Sequence, residues 1–212
     1  MSRSTQTDKP SPRILAFLKA PISGSVKTRL AREIGNEEAT RIYRMHVERQ
    51  IAALPPDWPV EIHFAPPDAE SMMSEWLGSE FSYIPQTGRD LGERMHNAVK
   101  SAFADGAEKV ICIGGDCPDL GEKELRESEE KLHQGNDLVF GPTFDGGYYL
   151  MGLSKPCDEV FESIPWSSSK TLTASLLHAK RFGRSFTLLE TKVDVDDLDD
   201  WEKAKHLFAL AK

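Results

Sequence analysis

The chain has 212 residues, 39% hydrophobic and 28% charged, which is enough for one substantial core and short for two. Its 34 acidic residues outnumber its 26 basic ones and give a net charge of −8, which excludes a general nucleic-acid binder built on excess Lys and Arg. No stretch approaches the ~20 apolar residues of a membrane span, and the polar segment 1–12 lacks the apolar run of a secretion signal, so a disordered tail is expected there and a single domain over 13–212.

The first expected element is a strand at Ile14 to Leu18, a continuous apolar run of the kind covered on both faces. A loop with Pro21 and Gly24 follows. Ala39, Ile42, Tyr43, Val47, Ile51 and Leu54 then recur at three- and four-residue steps, predicting a helix that ends at Pro55-Pro56. Val60 to Phe64 reads as a second strand between prolines, and Glu70 to Leu77 as a short helix. Met95, Ala98, Val99, Ala102 and Phe103 line one face of a helix stopped by Gly106, and Val110 to Ile113 is the expected central strand. Glu122 to His133 predicts an exposed helix anchored by Leu125 and Leu132. Leu138 to Phe140 and Tyr148 to Leu153 flank a turn at Asp145-Gly146-Gly147 as an expected antiparallel pair. Lys170 to Arg181 reads as a helix, Phe186 to Leu189 as an edge strand and Trp201 to Leu210 as a closing helix. Strands alternating with helices predict an α/β fold with a mostly parallel sheet, helices on both faces, and ligands at the carboxyl ends of the strands.

The segments that follow strands are therefore the places to look for chemistry. After the first strand, Lys19, Ala20, Pro21, Gly24, Lys27, Thr28 and Arg29 form a candidate phosphate loop, since its glycine lets amides approach an anion and its cations add charge-assisted hydrogen bonds. A P-loop is rejected, because Val26 and Pro21 stand where it needs glycine. The competing account of Lys27 and Arg29 is a solvated helix start.

After the central strand comes Gly114-Gly115-Asp116-Cys117-Pro118-Asp119, in which Asp116 is the first choice for a Mg²⁺ or Mn²⁺ ligand and Asp119 is expected to cap the next helix. In an extended Asp194-Val195-Asp196 both carboxylates point the same way. Asp196 is the second metal candidate with Asp194 in reserve, and Asp199 and Asp200 are assigned to capping the last helix.

Gln86, Gly88, Asp90 and Gly92 lie in the segment Gln86 to Arg94, whose two glycines, two arginines (Arg89, Arg94) and two acids suit recognition of phosphate or ribose hydroxyls, or an ordinary turn before a capped helix. Gly146 and Gly147 could admit an acceptor beside Asp145, with a plain hairpin turn as the alternative. Trp166 is a candidate for stacking on a sugar or base, although core packing is the commoner use of a lone Trp. Neither the histidines nor Cys112, Cys117 and Cys157 show metal-site spacing, so reduced thiols in a cytoplasm are expected.

At Lys19-Ala20-Pro21 with Lys27-Thr28-Arg29-Leu30-Ala31, Gly115-Asp116-Cys117-Pro118, Gly141-Pro142 with Asp145-Gly146-Gly147-Tyr148-Tyr149-Leu150, and Asp194-Val195-Asp196, the chain resembles the GT-A group of nucleotide-diphospho-sugar transferases. Within that group it is similar to the small bacterial radical-SAM/selenodomain-associated transferases. The resemblance implies a GT-A fold, a first loop that holds the nucleotide, and Asp116 and Asp196 as metal ligands. The first loop also looks like that of guanylyltransferases for small phosphorylated acids and of molybdopterin nucleotidyltransferases, without their Gly-Gly run at the first strand.

Three functions follow as expectations. The first is glycosyl transfer from a nucleotide sugar to a small-molecule acceptor, with Asp145 as base. The second is nucleotidyl transfer, in which a substrate phosphate attacks a nucleoside triphosphate and Lys27 and Arg29 steady the departing pyrophosphate. A non-catalytic nucleotide-binding module is the third.

Overall fold

The computed structural model describes residues 10–208. Positions 1–9 of the expected tail and 209–210 of the expected last helix lie outside the described residues, while 10–12 have no regular secondary structure. In chain order the strands are β1 (Arg13–Lys19), β2 (Val60–Ala65), β3 (Ser82–Pro85), β4 (Val110–Gly114), β5 (Leu138–Pro142), β6 (Tyr148–Leu153) and β7 (Phe186–Leu188). The helices are α1 (Thr28–Ile34), α2 (Asn36–Ala52), α3 (Glu70–Leu77), α4 (Leu91–Ala104), α5 (Glu122–His133), α6 (Thr171–Arg181) and α7 (Leu198–Ala204).

All seven strands form one sheet in the order β3-β2-β1-β4-β6-β5-β7. β1 pairs in parallel with β2 and β4, β2 with β3, and β5 with β7, so β6 alone is reversed, antiparallel to both β4 and β5. The expected antiparallel pair is therefore present, the strand expected at the centre is central, and the expected edge strand is at the edge.

The strands are continuous apolar runs because both faces are covered. Along β1, Ile14, Ala16 and Leu18 pack on the side that carries Tyr43 and Val47 of α2, Met73 of α3 and Leu125 of α5. Leu15 and Phe17 face the opposite side, with Met95 and Val99 of α4 and Ala179 of α6. β4 divides likewise, Ile111 and Ile113 to one side, Val110 and Cys112 to the other. Each Val, Leu or Ile among them, wholly removed from water, contributes about 1.5–3 kcal/mol. The result is the three-layer α/β arrangement that alternation predicted.

Several local expectations are corrected. β3 was not predicted, because Ser82–Pro85 lies at the sheet edge with most of its residues exposed and shows no buried alternation. Asp119 does not cap α5. Gly121 occupies the N-cap and receives Glu124 Oε2 on its backbone N–H at 3.1 Å, while Asp119 takes a 2.8 Å hydrogen bond from Lys192. The cap of α7 is Asp197, which accepts from Asp200 N at 3.0 Å. Asp199 and Asp200 occupy its first turn, where the helix dipole favours negative charge. The closing helix starts earlier than expected, at Leu198, and tightens to a 3₁₀ turn over Lys205–Phe208.

Candidate functional site

Because only β6 is reversed, the carboxyl ends of β1, β3, β4, β5 and β7 lie on one edge of the sheet. The chain leaves those strands through the segments at 19–29, 86–94, 115–117, 143–147 and 192–196, and all five contribute to one cleft of about 590 Å³. That is the size of a small-molecule site.

The first loop is fixed at its root by Tyr43 of α2. Its hydroxyl receives the Lys19 backbone N–H at 2.8 Å and donates to the Lys19 carbonyl at 3.0 Å, and burial, with the nearby Asp116 charge, pushes its pKa upward. The loop ends at Lys27, whose φ of 47° and ψ of 44° are left-handed. A residue with a Cβ carries strain of about 1–3 kcal/mol there, and such strain gathers at functional sites. Ser167, on the wall contributed by the 163–168 turn, is held at φ 56° as well.

From this position the Lys27 side chain, only 2% exposed, reaches two segments that follow distant strands. Its ammonium donates to Asp116 Oδ1 after β4 and to the Val195 carbonyl after β7. The Val195 N–H in turn donates to the Asp116 carbonyl at 2.9 Å, so three segments are tied at one point. The Asp116 side chain remains 55% exposed to the cleft. Surrounding protein raises its pKa, but the Lys27 charge and hydrogen bond outweigh that, and the net shift is downward. A second pair, Arg29 Nη1 with Asp196 Oδ2 at 3.0 Å, joins the first loop to the same tail segment.

Next to these pairs, Asp145, Asp194 and Asp196 each bring a carboxylate oxygen within 4.8 Å of the others. Burial, then the charge of Asp145, moves Asp194 up to about 6. Asp196 is raised by burial and by Asp116, against the lowering effect of Lys27 and Arg29. Three carboxylates this close together offer hard oxygen donors that could hold a divalent cation.

Asp145 is positioned by its own turn. Its Oδ1 accepts from Thr143 Oγ1 at 2.6 Å and from Gly147 N at 2.8 Å. The turn seats on the 163–169 segment, where Gly146 has φ 91° and a Cβ would lie 2.1 Å from the Ser169 carbonyl oxygen.

Of the residues singled out from sequence, Lys19, Lys27, Thr28 and Arg29 line the cleft with Asp116, Asp145 and Asp196. Gln86, Asp90, Gly115, Gly147 and Trp166 line it too. Trp166 is stacked on Phe161 with centroids 6.4 Å apart and packs against Gly92 in the first turn of α4. Ala20, Pro21, Gly24, Gly88, Gly92 and Gly146 support these segments without lining the cleft themselves. Asp194 is the reserve ligand expected from the sequence, and Asp145 the expected base. The group they form with Asp196 depends on β5 lying beside β7, whose parallel pairing extends to a bridge between Thr143 and Lys192. Arg94, the last residue of the segment read from sequence as suited to phosphate, lines the cleft, as does Tyr43, which was missed because it reads as part of an ordinary helix.

The family described as "Uncharacterized protein conserved in bacteria" (DUF2064) matches residues 50–168, more than half of the chain. No curated protein matches the chain at a significant level. A crystal structure of a Desulfovibrio desulfuricans G20 protein, provisionally named a nucleotide-diphospho-sugar transferase, is similar with a TM-score of 0.89 and 32% identity, over 96% of this chain and 90% of that one. A Mycobacterium tuberculosis H37Rv protein solved in complex with manganese shares the fold at a TM-score of 0.57 and 14% identity, over 91% of this chain and 97% of that one. So does 4-diphosphocytidyl-2C-methyl-D-erythritol synthase from Anaerococcus prevotii, at 0.59 and 12%, over 93% and 99%. The chain belongs to the DUF2064 family and has the Rossmann-like α/β fold of the GT-A superfamily.

Proposed function

We propose that this member of the DUF2064 family is a divalent-metal-dependent transferase that moves a glycosyl group from a nucleotide-diphospho-sugar to a small-molecule acceptor. The observation that carries the reading is the meeting of Lys27–Asp116 and Arg29–Asp196 with the carboxylates of Asp145 and Asp194 at the carboxyl edge of one sheet. Cations and hard acids in one cleft suit a polyphosphate with its counter-ion, and neither set suits an apolar ligand. The name of the 32%-identical Desulfovibrio protein supports a nucleotide-sugar donor.

In this reading Lys27 and Arg29 bind the donor's diphosphate, while Asp116 and Asp196, helped by Asp194, hold Mg²⁺ or Mn²⁺. A cation held there would supply neutralisation of the charge that grows on the departing diphosphate. Asp145 keeps Oδ1 on Thr143 and Gly147, which leaves Oδ2 to take the proton of the attacking acceptor hydroxyl. The three buried free thiols fit work in the cytoplasm, and no helix of the described residues is long and apolar enough to cross a membrane.

One observation favours a second reading. Asp145 stands within the acid trio, and if it serves as a ligand there it is not a free base. Nucleotidyl transfer needs no base, because an attacking phosphate is already ionised. Incubation with Mg²⁺ or Mn²⁺ and a panel of nucleotide sugars and nucleoside triphosphates separates the readings by product. A released nucleoside diphosphate is expected, pyrophosphate would instead establish nucleotidyl transfer, and binding without any product would defeat the enzymatic reading.

A further inference from the structure

Two cations of the donor loop are matched by acids of the cleft, and the arginine that α4 presents to it is not. Lys27 has Asp116 and Arg29 has Asp196, whereas Arg94, in the first turns of α4, has no carboxylate in ion-pair contact among the described residues. Its acidic neighbours are engaged elsewhere. Glu93 Oε2 takes the Arg89 backbone N–H at 2.6 Å and Nε at 3.0 Å, and Asp90 Oδ1 caps the helix by accepting from Glu93 N at 2.9 Å.

The Arg94 head is nevertheless aimed. Its Nε donates to the Gly88 carbonyl at 3.1 Å, and this is its one hydrogen bond among the described residues, so both terminal nitrogens are uncommitted. Gly88 arches over Arg94 closely enough that a Cβ there would lie 2.7 Å from Arg94 N and 3.1 Å from its Cγ, at a φ of 147°. That loop is itself pinned, by Gln86 Nε2 to the carbonyls of Leu18 and His63 at 3.1 and 2.8 Å and by Asn97 Nδ2 to the Thr87 carbonyl at 2.8 Å. A guanidinium fixed at Nε with its fork free on a cleft wall is the arrangement that receives a carboxylate or phosphate through two parallel hydrogen bonds.

We infer that Arg94 anchors an anionic group of the acceptor, so that the acceptor is a small phosphorylated or carboxylated molecule and not a neutral one. The inference rests on the transferase reading, which assigns the Lys27 end of the cleft to the donor and leaves the α4 end, walled by Trp166 and Ser167, for the acceptor.

Calorimetric titration of the full chain tests it. The probes are glycerol 3-phosphate, lactate and glycerol for the acceptor end, and a panel of nucleoside diphosphates with Mn²⁺ for the donor end. The wild type is expected to bind glycerol 3-phosphate or lactate at least about ten-fold more tightly than glycerol, and the anion preferred separates phosphate from carboxylate. Arg94→Ala should lose that preference while nucleotide affinity stays unchanged, and Lys27→Ala should do the reverse. Arg94→Gln, which retains a donor for the Gly88 carbonyl, gives the same readout if the alanine variant unfolds. Anion binding that is absent from the wild type, or equal in wild type and variants, would overturn the inference. Loss of nucleotide affinity alone in Arg94→Ala would also overturn it, by moving Arg94 to the donor end. A wild type that binds the anion through Arg94 but binds no nucleotide would sink the transferase reading and leave the anion site standing.

Discussion

Lys27 is held in a left-handed backbone with its ammonium buried between the Asp116 carboxylate and the Val195 carbonyl. An arriving cation and an arriving phosphate therefore compete for opposite members of one pair. Lys27→Ala should separate the two effects. Nucleotide affinity should fall about 10- to 100-fold, the worth of one charge-assisted hydrogen bond, while Mn²⁺ affinity rises because Asp116 has lost its internal counter-ion. Titration of Mn²⁺ by its electron paramagnetic resonance signal and of nucleotide by calorimetry would show both, and unchanged nucleotide affinity would return Lys27 to the solvated helix start. Asp116→Asn keeps the shape and removes the charge. It should lower metal-dependent turnover by about 10²–10³ with little loss of melting temperature, since the Asp116 side chain is 55% exposed. Both residues were legible as site candidates, because a Lys-Thr-Arg loop and a Gly-Gly-Asp corner each follow an apolar run. Their direct contact was not. They are 89 positions apart, and only the pairing of β1 with β4 brings the two loops together.

The elements behind the site carry their own consequences. His46 of α2 is fully buried among Trp201 and Phe208, with ring centroids 5.5 and 5.1 Å away, and neither ring nitrogen has a partner among the described residues. Burial, then the Lys27 charge, drives its pKa down to about 3, against a smaller raising effect of Asp116. The other charge beside this aromatic group is Arg49, 5.7 Å from the Phe208 ring. A base whose folded pKa lies below its unfolded value of about 6.5 is neutral in the fold and protonated in the unfolded chain. Stability is therefore lost as pH falls from about 6.5 toward 3. Between pH 7 and pH 5 this one group should cost about 2 kcal/mol, an increment that His46→Phe abolishes when urea midpoints are compared at the two pH values. Equal pH dependence in both proteins would refute a buried neutral His46.

The β5–β6 turn makes a second test at this scale. At Gly146 an added methyl meets the Ser169 carbonyl at 2.1 Å in a left-handed backbone, so Gly146→Ala should cost about 1–3 kcal/mol and displace Asp145. A melting temperature and turnover equal to wild type would contradict that docking. Elements with strong periodicity, α2 and α4 above all, were legible in the sequence. β3 was not, because Ser82–Pro85 is a short, largely exposed edge strand, and neither was the cap of α5, because Lys192, which claims Asp119, lies 73 positions away.

Across the whole molecule, the site is a consequence of strand direction. Five loops meet because the strands that precede them run the same way, and the last of these, 192–196, returns from the sheet edge to close on Asp116 and Lys27. A ligand that grips several of these loops at once must stabilise the entire fold and not one segment. With cation and nucleotide each at about 100 times the dissociation constant, binding to the folded state alone adds about 2.7 kcal/mol per ligand. For a domain of this size, at about 2–4 °C per kcal/mol, the pair should raise the melting temperature by roughly 10–20 °C. The rise from nucleotide should depend largely on the cation, since two of the cations offered to a polyphosphate at this end, Lys27 and Arg29, are already paired with acids. Asp196→Asn should therefore suppress the shift from Mn²⁺ and most of the further shift from nucleotide, and a chelator should reverse both in the wild type. If nucleotide raised the melting temperature equally with Mn²⁺ and with chelator, the carboxylates gathered by β4, β5 and β7 would have no part in holding a metal–nucleotide complex, and their grouping would be a feature of the sheet edge alone.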